Sequence, residues 1–287
     1  MEMIRVAVLM TVFNRKLLTI RCLENFEKAA KNTPDINYDI YILDDGSTDG
    51  TGNVLKTLFP NVKVIEGDGS YFWCRGMVKV WSEASKFDYD AYILLNNDSY
   101  IFDFALEELI SSSKEKNHQS IISGAFRSEF YNVSTYGGKL KGQALTLIPD
   151  GTLQKIELLN GNLVLVPKVI YDKIGMLDPL FHHSIGDYDY GLRAIKNKFM
   201  VVLTKRYVGT CELHDSIQIC YDSKKALFSR FKNFYSPLGD NPFQRFYFLN
   251  RHYSFFKAIS AFFVTHLYVF FPGLLNWYEK LKNNKTV

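Results

Sequence analysis

A chain of 287 residues can bury one large core, or one core with a modest appendage. Hydrophobic residues at 47% and charged residues at 22% exclude a disordered composition, and a formal net charge of +4 gives no bulk case for nucleic-acid binding. Any phosphate-bearing partner must be held by local chemistry.

In chain order, Ile4 to Met10 is a short apolar run that predicts a buried strand of a parallel sheet. Arg15 to Lys31 carries Leu18, Cys22, Phe26 and Ala29 at the spacing of one helix face. Tyr38 to Leu43 reads as a second strand, Asn53 to Leu58 as helix, Val62 to Ile65 as a third strand, Arg75 to Ser85 as helix and Ala91 to Leu95 as a fourth strand. Such alternation predicts an α/β fold with an open, mostly parallel sheet and helices on both faces. Further on, Ile121 to Phe126, Leu145 to Ile148 and Leu163 to Val166 read as strands, and Lys168 to Ile174 and Asp187 to Lys196 as helices. Lys224 to Gln244 reads as a linker centred on Ser236 to Pro242.

The start of the chain lacks the apolar region and cleavage site of a signal peptide. The cysteines Cys22, Cys74, Cys211 and Cys220 form neither a C-x-x-C pair nor a zinc spacing. Together these predict reduced thiols and a cytoplasmic protein.

Ligands of open parallel sheets bind beyond the strands' carboxyl ends, and three polar clusters fall there: Thr11 to Asn14, Asp44 to Thr48 and Asn96 to Asp98. Each also has a bland reading. Asp44-Asp45-Gly46-Ser47 makes a turn with a helix cap, or offers a carboxylate to a base N–H or ribose hydroxyl. Asn96-Asn97-Asp98 closes a strand, or places Asp98, supported by Asn97, on a divalent cation bridging diphosphate oxygens. In Gly186 to Arg193, Asp189 and Arg193 have the spacing of a surface salt bridge. Asp187 stands at the helix start, where the dipole favours an ionised carboxylate able to act as a base.

Val8 to Arg15, Ile42 to Thr51, Leu94 to Asp98 and Phe181 to Arg193, in that order, resemble a family-2 glycosyltransferase of the GT-A fold, over roughly residues 4 to 215. The resemblance implies that Thr11, Phe13, Asn14 and Asp45 hold the nucleotide. It places Arg75 and Asn97 against the donor, Asp98 on Mn²⁺ or Mg²⁺ with His214 as a further ligand, and Asp187 as the catalytic base. It also implies that Gly161, His182 and His183 shape the acceptor pocket. Two departures stand out: Asn96 and Asn97 precede the single acid Asp98, and Gly186 replaces an acid beside the base. Gly67 to Trp73 and Ser236 to Arg251 are similar to rhamnosyltransferase-like members that build bacterial surface polysaccharides.

The implied activity is inverting sugar transfer from a nucleotide sugar, such as a UDP-hexose or dTDP-rhamnose, to a saccharide or polyprenyl-linked saccharide. The alternative is a degenerate nucleotide-sugar-binding subunit or sensor. A nucleotidyltransferase lacks its glycine- and lysine-rich loop here, and a dinucleotide oxidoreductase its G-x-G-x-x-G. Residues 1–223 are expected to form the transferase domain, with 1–99 the nucleotide-binding half and 100–223 the acceptor half. Residues 224–287 follow as an aromatic, basic tail. In it, Ala258 to Phe271 is apolar but short for a span, which needs ~20 residues. An in-plane helix on the inner face of the membrane fits it; packing or a homodimer contact, and a true span, are the other readings.

Overall fold

The computed structural model describes residues 3–131, 133–213 and 218–274. Two units make up the chain: Met1–Pro179 with Gly186–Leu213, and Leu180–Ile185 with His214–Val287.

The first unit opens with β1 (Ile4–Val12), α1 (Lys16–Lys31), β2 (Ile36–Asp44), α2 (Thr51–Leu58), β3 (Lys63–Glu66), α3 (Phe72–Ala84) and β4 (Ala91–Leu95). It continues through β5 (Tyr100–Ile101), α4 (Ala105–Glu115), β6 (Ser120–Arg127), β7 (Gly138–Lys139), β8 (Leu158–Leu159), β9 (Leu163–Pro167), α5 (Lys168–Ile174), α6 (Gly186–Lys196) and β10 (Met200–Thr210). One eight-stranded sheet has the order β3-β2-β1-β4-β9-β6-β10-β5, and β7 pairs with β8 separately. β1 lies parallel to β2, from Ile4 opposite Ile36 to Val12 opposite Asp44. β9 runs antiparallel to both β4 and β6, so β6 and its parallel neighbour β10 point the same way as β1 and β4. The carboxyl ends of β1, β2, β4, β6 and β10 therefore share one edge.

Helices cover both faces, because alternate residues of the strands are apolar toward each side. Val6, Val8 and Met10 of β1 join Cys22, Leu23 and Phe26 of α1, Leu55 of α2 and Leu106 and Leu109 of α4 in one core. On the other face α3 lies against β1 and β2, and Gly76 makes the close approach possible: a Cβ there would meet Thr11 Oγ1 at 2.5 Å. Trp81 of α3, fully buried, packs against Tyr92 of β4, Tyr171 of α5 and Tyr190 of α6. Each such buried side chain contributes roughly 1.5–3 kcal/mol.

The expected α/β class, mostly parallel sheet and two helix layers are all present. Leu145 to Ile148 is not a strand: Leu145 is 82% and Ile148 66% exposed, and the Leu147 N–H donates to the Gly138 carbonyl without a ladder forming. The sequence reading passed over α4, weakened by Ser111, Ser112 and Ser113, and β10, where Lys205 and Arg206 interrupt the apolar run. All four cysteines are free and buried.

The second unit contains a 3₁₀ turn at Ile219–Tyr221, then α7 (Leu227–Phe234), α8 (Pro242–His252) and α9 (Phe255–Phe270). The stretch expected as linker is thus helical at both ends. Only Tyr235 to Asn241 connects, closed by Asn241 Oδ1 accepting the N–H groups of Phe243 and Gln244 to start α8. Phe256, Phe263 and Phe270 of α9, seven residues apart and so on one side, are 82%, 64% and 48% exposed. Among the described residues no helix is long and apolar enough to cross a membrane, which removes the spanning reading for them.

Candidate functional site

The loops after β1 and β2 are laced together. Asn14 takes a left-handed backbone (φ 50°), which asparagine tolerates better than most residues. Its Oδ1 accepts the N–H groups of Thr48 (2.7 Å) and Asp49 (3.3 Å), while its own N–H donates to Ser47 Oγ at 2.9 Å. The Asp49 carboxylate accepts the Lys16 N–H at 3.0 Å, tying the start of α1 into the same loop. Phe13 is left 53% exposed beside them, and half-buried Thr11 lies under Gly76.

Asp45 organises the start of α3. Its Oδ1 accepts the Gly69 N–H at 2.9 Å, and its Oδ2 accepts those of Tyr71 and Phe72 at 3.0 Å each. An ionised carboxylate has about four acceptor positions, so three are engaged before any ligand arrives. In the first turn of α3, Trp73 Nε1 donates to Asn96 Oδ1 at 2.6 Å. The same indole lies on Gly161, where a Cβ would meet the ring at 2.4 Å. The Gly161 N–H then donates to Asp187 Oδ2 at 3.2 Å, and the Tyr188 N–H to Asp187 Oδ1 at 2.8 Å. One indole thus connects the loop after β4 to the residue that holds Asp187. Trp73 ends the Gly67 to Trp73 stretch, and nothing local in the sequence signals this bridging role.

Asp187 opens α6 as expected, yet its acidity differs from expectation. Burial pushes its carboxyl up to about 6, against the amides of Tyr188 and Gly161 and the charge of Lys139, which pull it down. Desolvation outweighs the helix start. Asp189 does pair with Arg193 (2.8 Å), but the pair is no surface bridge: Asp189 is fully buried, and Arg193 also donates to the carbonyls of Ile174 and Met176. This anchors α6 and holds Asp189 in the interior.

Asp98 meets Arg15, whose Nη1 donates to Oδ2 at 2.6 Å. Arg15 adjoins Asn14 in the first motif, and that adjacency was the available signal. Asn97, expected against the donor, is buried with its amide donating to Thr19 Oγ1 of α1 at 3.1 Å; it braces the loop. Among the described residues no group of three or more His, Cys, Asp or Glu stands together to cage an ion. The loop offers one carboxylate, which fits a Mg²⁺ or Mn²⁺ that keeps water and is shared with substrate phosphates. His214, expected as a further ligand, lies outside the described residues.

Arg75 on α3 donates from Nε to the Pro179 carbonyl at 2.8 Å. In the second unit, His182 is held by Gln244, which accepts the His182 N–H at 3.2 Å and donates to Nδ1 at 2.9 Å. His183 beside it is half-buried.

With this geometry in view, the pattern of Glycosyl transferase family 2 matches residues 7–166. No curated protein matches the chain. Solved structures similar to it include S. aureus TarS residues 1–349 in complex with UDP, at 12% identity and a TM-score of 0.53, covering 73% of this chain and 60% of that one. The mannosyltransferase PcManGT from Pyrobaculum calidifontis, in complex with GDP-Man and Mn²⁺, aligns at 11% identity and a TM-score of 0.57, covering 93% of this chain and 74% of that one. The chain therefore spans about 60% of the TarS fragment it resembles, and at these identities the likeness is one of fold.

Proposed function

Because this chain belongs to glycosyl transferase family 2, we propose that it transfers a sugar from a nucleotide sugar to a saccharide acceptor with inversion at the anomeric carbon. One observation carries this reading: the Trp73 indole bonds to the loop holding Asp98 and also covers Gly161, whose N–H holds Asp187. A diphosphate-binding loop and a base are thereby fixed to one support.

In this reading the nucleotide lies over Thr11, Phe13, Asn14 and Asp45, with Arg75 toward the diphosphate. Asp98 would hold Mn²⁺ or Mg²⁺, with His214 as the further ligand assigned to it. The ion supplies positive charge where the departing diphosphate gains negative charge. Arg15, paired with Asp98, would turn its guanidinium to the donor's diphosphate. Asp187 removes the proton from the acceptor hydroxyl as that oxygen attacks from the face opposite the leaving group. A carboxyl near 6 suits this work, being mostly ionised at neutral pH yet basic enough to take a proton. Gly161, His182 and His183 are assigned to the acceptor side. The TarS complex with UDP and the PcManGT complex with GDP-Man and Mn²⁺ support a nucleotide-sugar donor and a divalent ion.

The acceptor is proposed to be lipid-linked. Residues 218–274 hold seven Lys or Arg against two Asp and no Glu, and they expose Phe256, Phe263 and Phe270 of α9. Exposed aromatics with an excess of cations suit the surface of an anionic membrane.

A second reading is favoured by the Arg15–Asp98 pair, which already neutralises the one acid of the loop. It is a nucleotide-sugar binder without turnover. Thermal shift with a panel of UDP-, GDP- and dTDP-sugars, with and without Mn²⁺, tests the donor assignment. Stabilisation by one donor, strengthened by Mn²⁺, is expected; no response to any of them would overturn it. Metal-dependent hydrolysis of the bound donor then rules out the second reading.

A further inference from the structure

A cavity of about 490 Å³ opens at the carboxyl edge of the sheet, lined in part by Arg21 of α1, Tyr100 and Phe102 around β5, and Arg127 at the end of β6. Its size falls in the range of small-molecule pockets. None of the residues assigned to the nucleotide, the ion or the base lines it. Tyr100 follows Asp98 by two residues, so the cavity starts where the diphosphate-binding loop ends.

The segment after β6 is braced. Glu212 accepts Ser128 Oγ at 2.7 Å and the Glu129 N–H at 2.5 Å, and Ser128 Oγ accepts the N–H groups of Phe130 (3.1 Å) and Tyr131 (2.9 Å). This holds Phe130 and Tyr131 75% and 71% exposed at the rim. Two guanidinium groups contribute differently. Arg21 lies on the Tyr100 ring at 3.7 Å and pairs with both oxygens of Glu129 at 2.9 and 3.0 Å, so its charge is countered. Arg127 lies 5.9 Å from the Phe102 ring and, among the described residues, is in no ion pair. The lining therefore combines aromatic faces, small polar groups, the mutually paired Arg21 and Glu129, and a further planar cation, Arg127.

We propose that this cavity binds a unit of the acceptor glycan that carries a negative charge. Aromatic faces pack on the C–H face of a pyranose ring, and the Arg127 fork pairs with a carboxylate or phosphate on it. The assignment rests on the sugar-transfer reading and narrows its acceptor class.

Ligand-observed NMR on the full chain tests it with three disaccharides: one neutral, one containing a uronic acid and one bearing a sugar phosphate. Nucleoside diphosphate binding is followed on the same samples. At least one charged disaccharide should bind more tightly than the neutral one, and which does so identifies the anion. Arg127→Gln should weaken that binding about tenfold or more and leave the neutral one unchanged. Phe130→Ala, at a mostly exposed side chain, should weaken binding of every disaccharide. Equal binding of charged and neutral probes, or an unchanged affinity in Arg127→Gln, overturns the proposal. So does the absence of disaccharide binding while nucleotide still binds; loss of nucleotide binding as well takes down the sugar-transfer reading beneath it.

Discussion

Asp187 has both oxygens engaged by backbone N–H groups and still holds its proton more tightly than an ordinary aspartate, because burial dominates. If it is the base, the acidic limb of the rate profile has its midpoint at about 6. Asp187→Asn should retain donor binding and lose transfer by ~10²–10⁴-fold, with that limb gone. Stability follows the same proton. The folded value lies above that of an ordinary aspartate, so the native state binds the proton more tightly, and this contribution is present at low pH and lost as pH rises through about 6. The melting-temperature advantage of the wild type over Asp187→Asn should therefore shrink across that interval and level off above it. A difference that stays constant from pH 4 to 7 would show that the carboxyl is not desolvated.

Arg15 gives a second test among single residues. Arg15→Gln removes the 2.6 Å ion pair with Asp98. Mn²⁺ alone should then bind more tightly, by about tenfold, as expected when a charge-assisted contact no longer competes. Mn²⁺ titration followed by electron paramagnetic resonance reads this without any turnover. Unchanged affinity would mean that the ion does not use Asp98. The position of Asp187 was legible in the sequence because a helix start and a motif coincide there. Its proton affinity was not, since the burial that raises it comes from tertiary packing, and the Gly161 N–H and Lys139 charge that oppose it are remote in the chain.

Among the elements, α3 ties together β1 and the loops after β2 and β4. Asp45 accepts three N–H groups at its start, Gly76 lets it close on β1, and Trp73 reaches both Asn96 and Gly161. Asp45→Ala should lower stability by about 2 kcal/mol, the upper end for a lost helix cap, since several amides lose one acceptor together. Gly161→Ala forces a methyl into the Trp73 ring and should cost ~1–3 kcal/mol. Urea unfolding measures both, and a neutral Gly161→Ala would show that the indole is free to move aside. The alternating elements from Ile4 to Leu95 were readable because apolar runs and turn residues punctuate them. α4 and β10 were missed because tertiary packing, more than local preference, makes them: Glu108 of α4 accepts from Lys205 N–H and from Arg206 Nε of β10. The cap by Asp45 was equally hidden, since Asp45 and Phe72 are 27 positions apart.

For the molecule as a whole, one sheet edge gathers the loops after β1, β2 and β4, which is where the sequence placed them by topology. The second unit is separately distinctive in its exposed Phe256, Phe263 and Phe270 and its excess of cations. Vesicles containing anionic lipid should float with the full chain, and replacing these three residues by serine should abolish flotation and leave nucleotide binding intact. A chain that stays with neutral and anionic vesicles alike in the sediment, or that instead dimerises through this face, would contradict the membrane assignment.

Release of nucleoside diphosphate from a panel of nucleotide sugars, by wild type and Asp187→Asn side by side, bears most directly on the central claim. One donor should be turned over in a Mn²⁺- or Mg²⁺-dependent way, with the rate falling ~10²–10⁴-fold in the variant and donor affinity preserved. A variant as active as wild type, or a wild type that neither binds nor cleaves any donor of the panel, would contradict it.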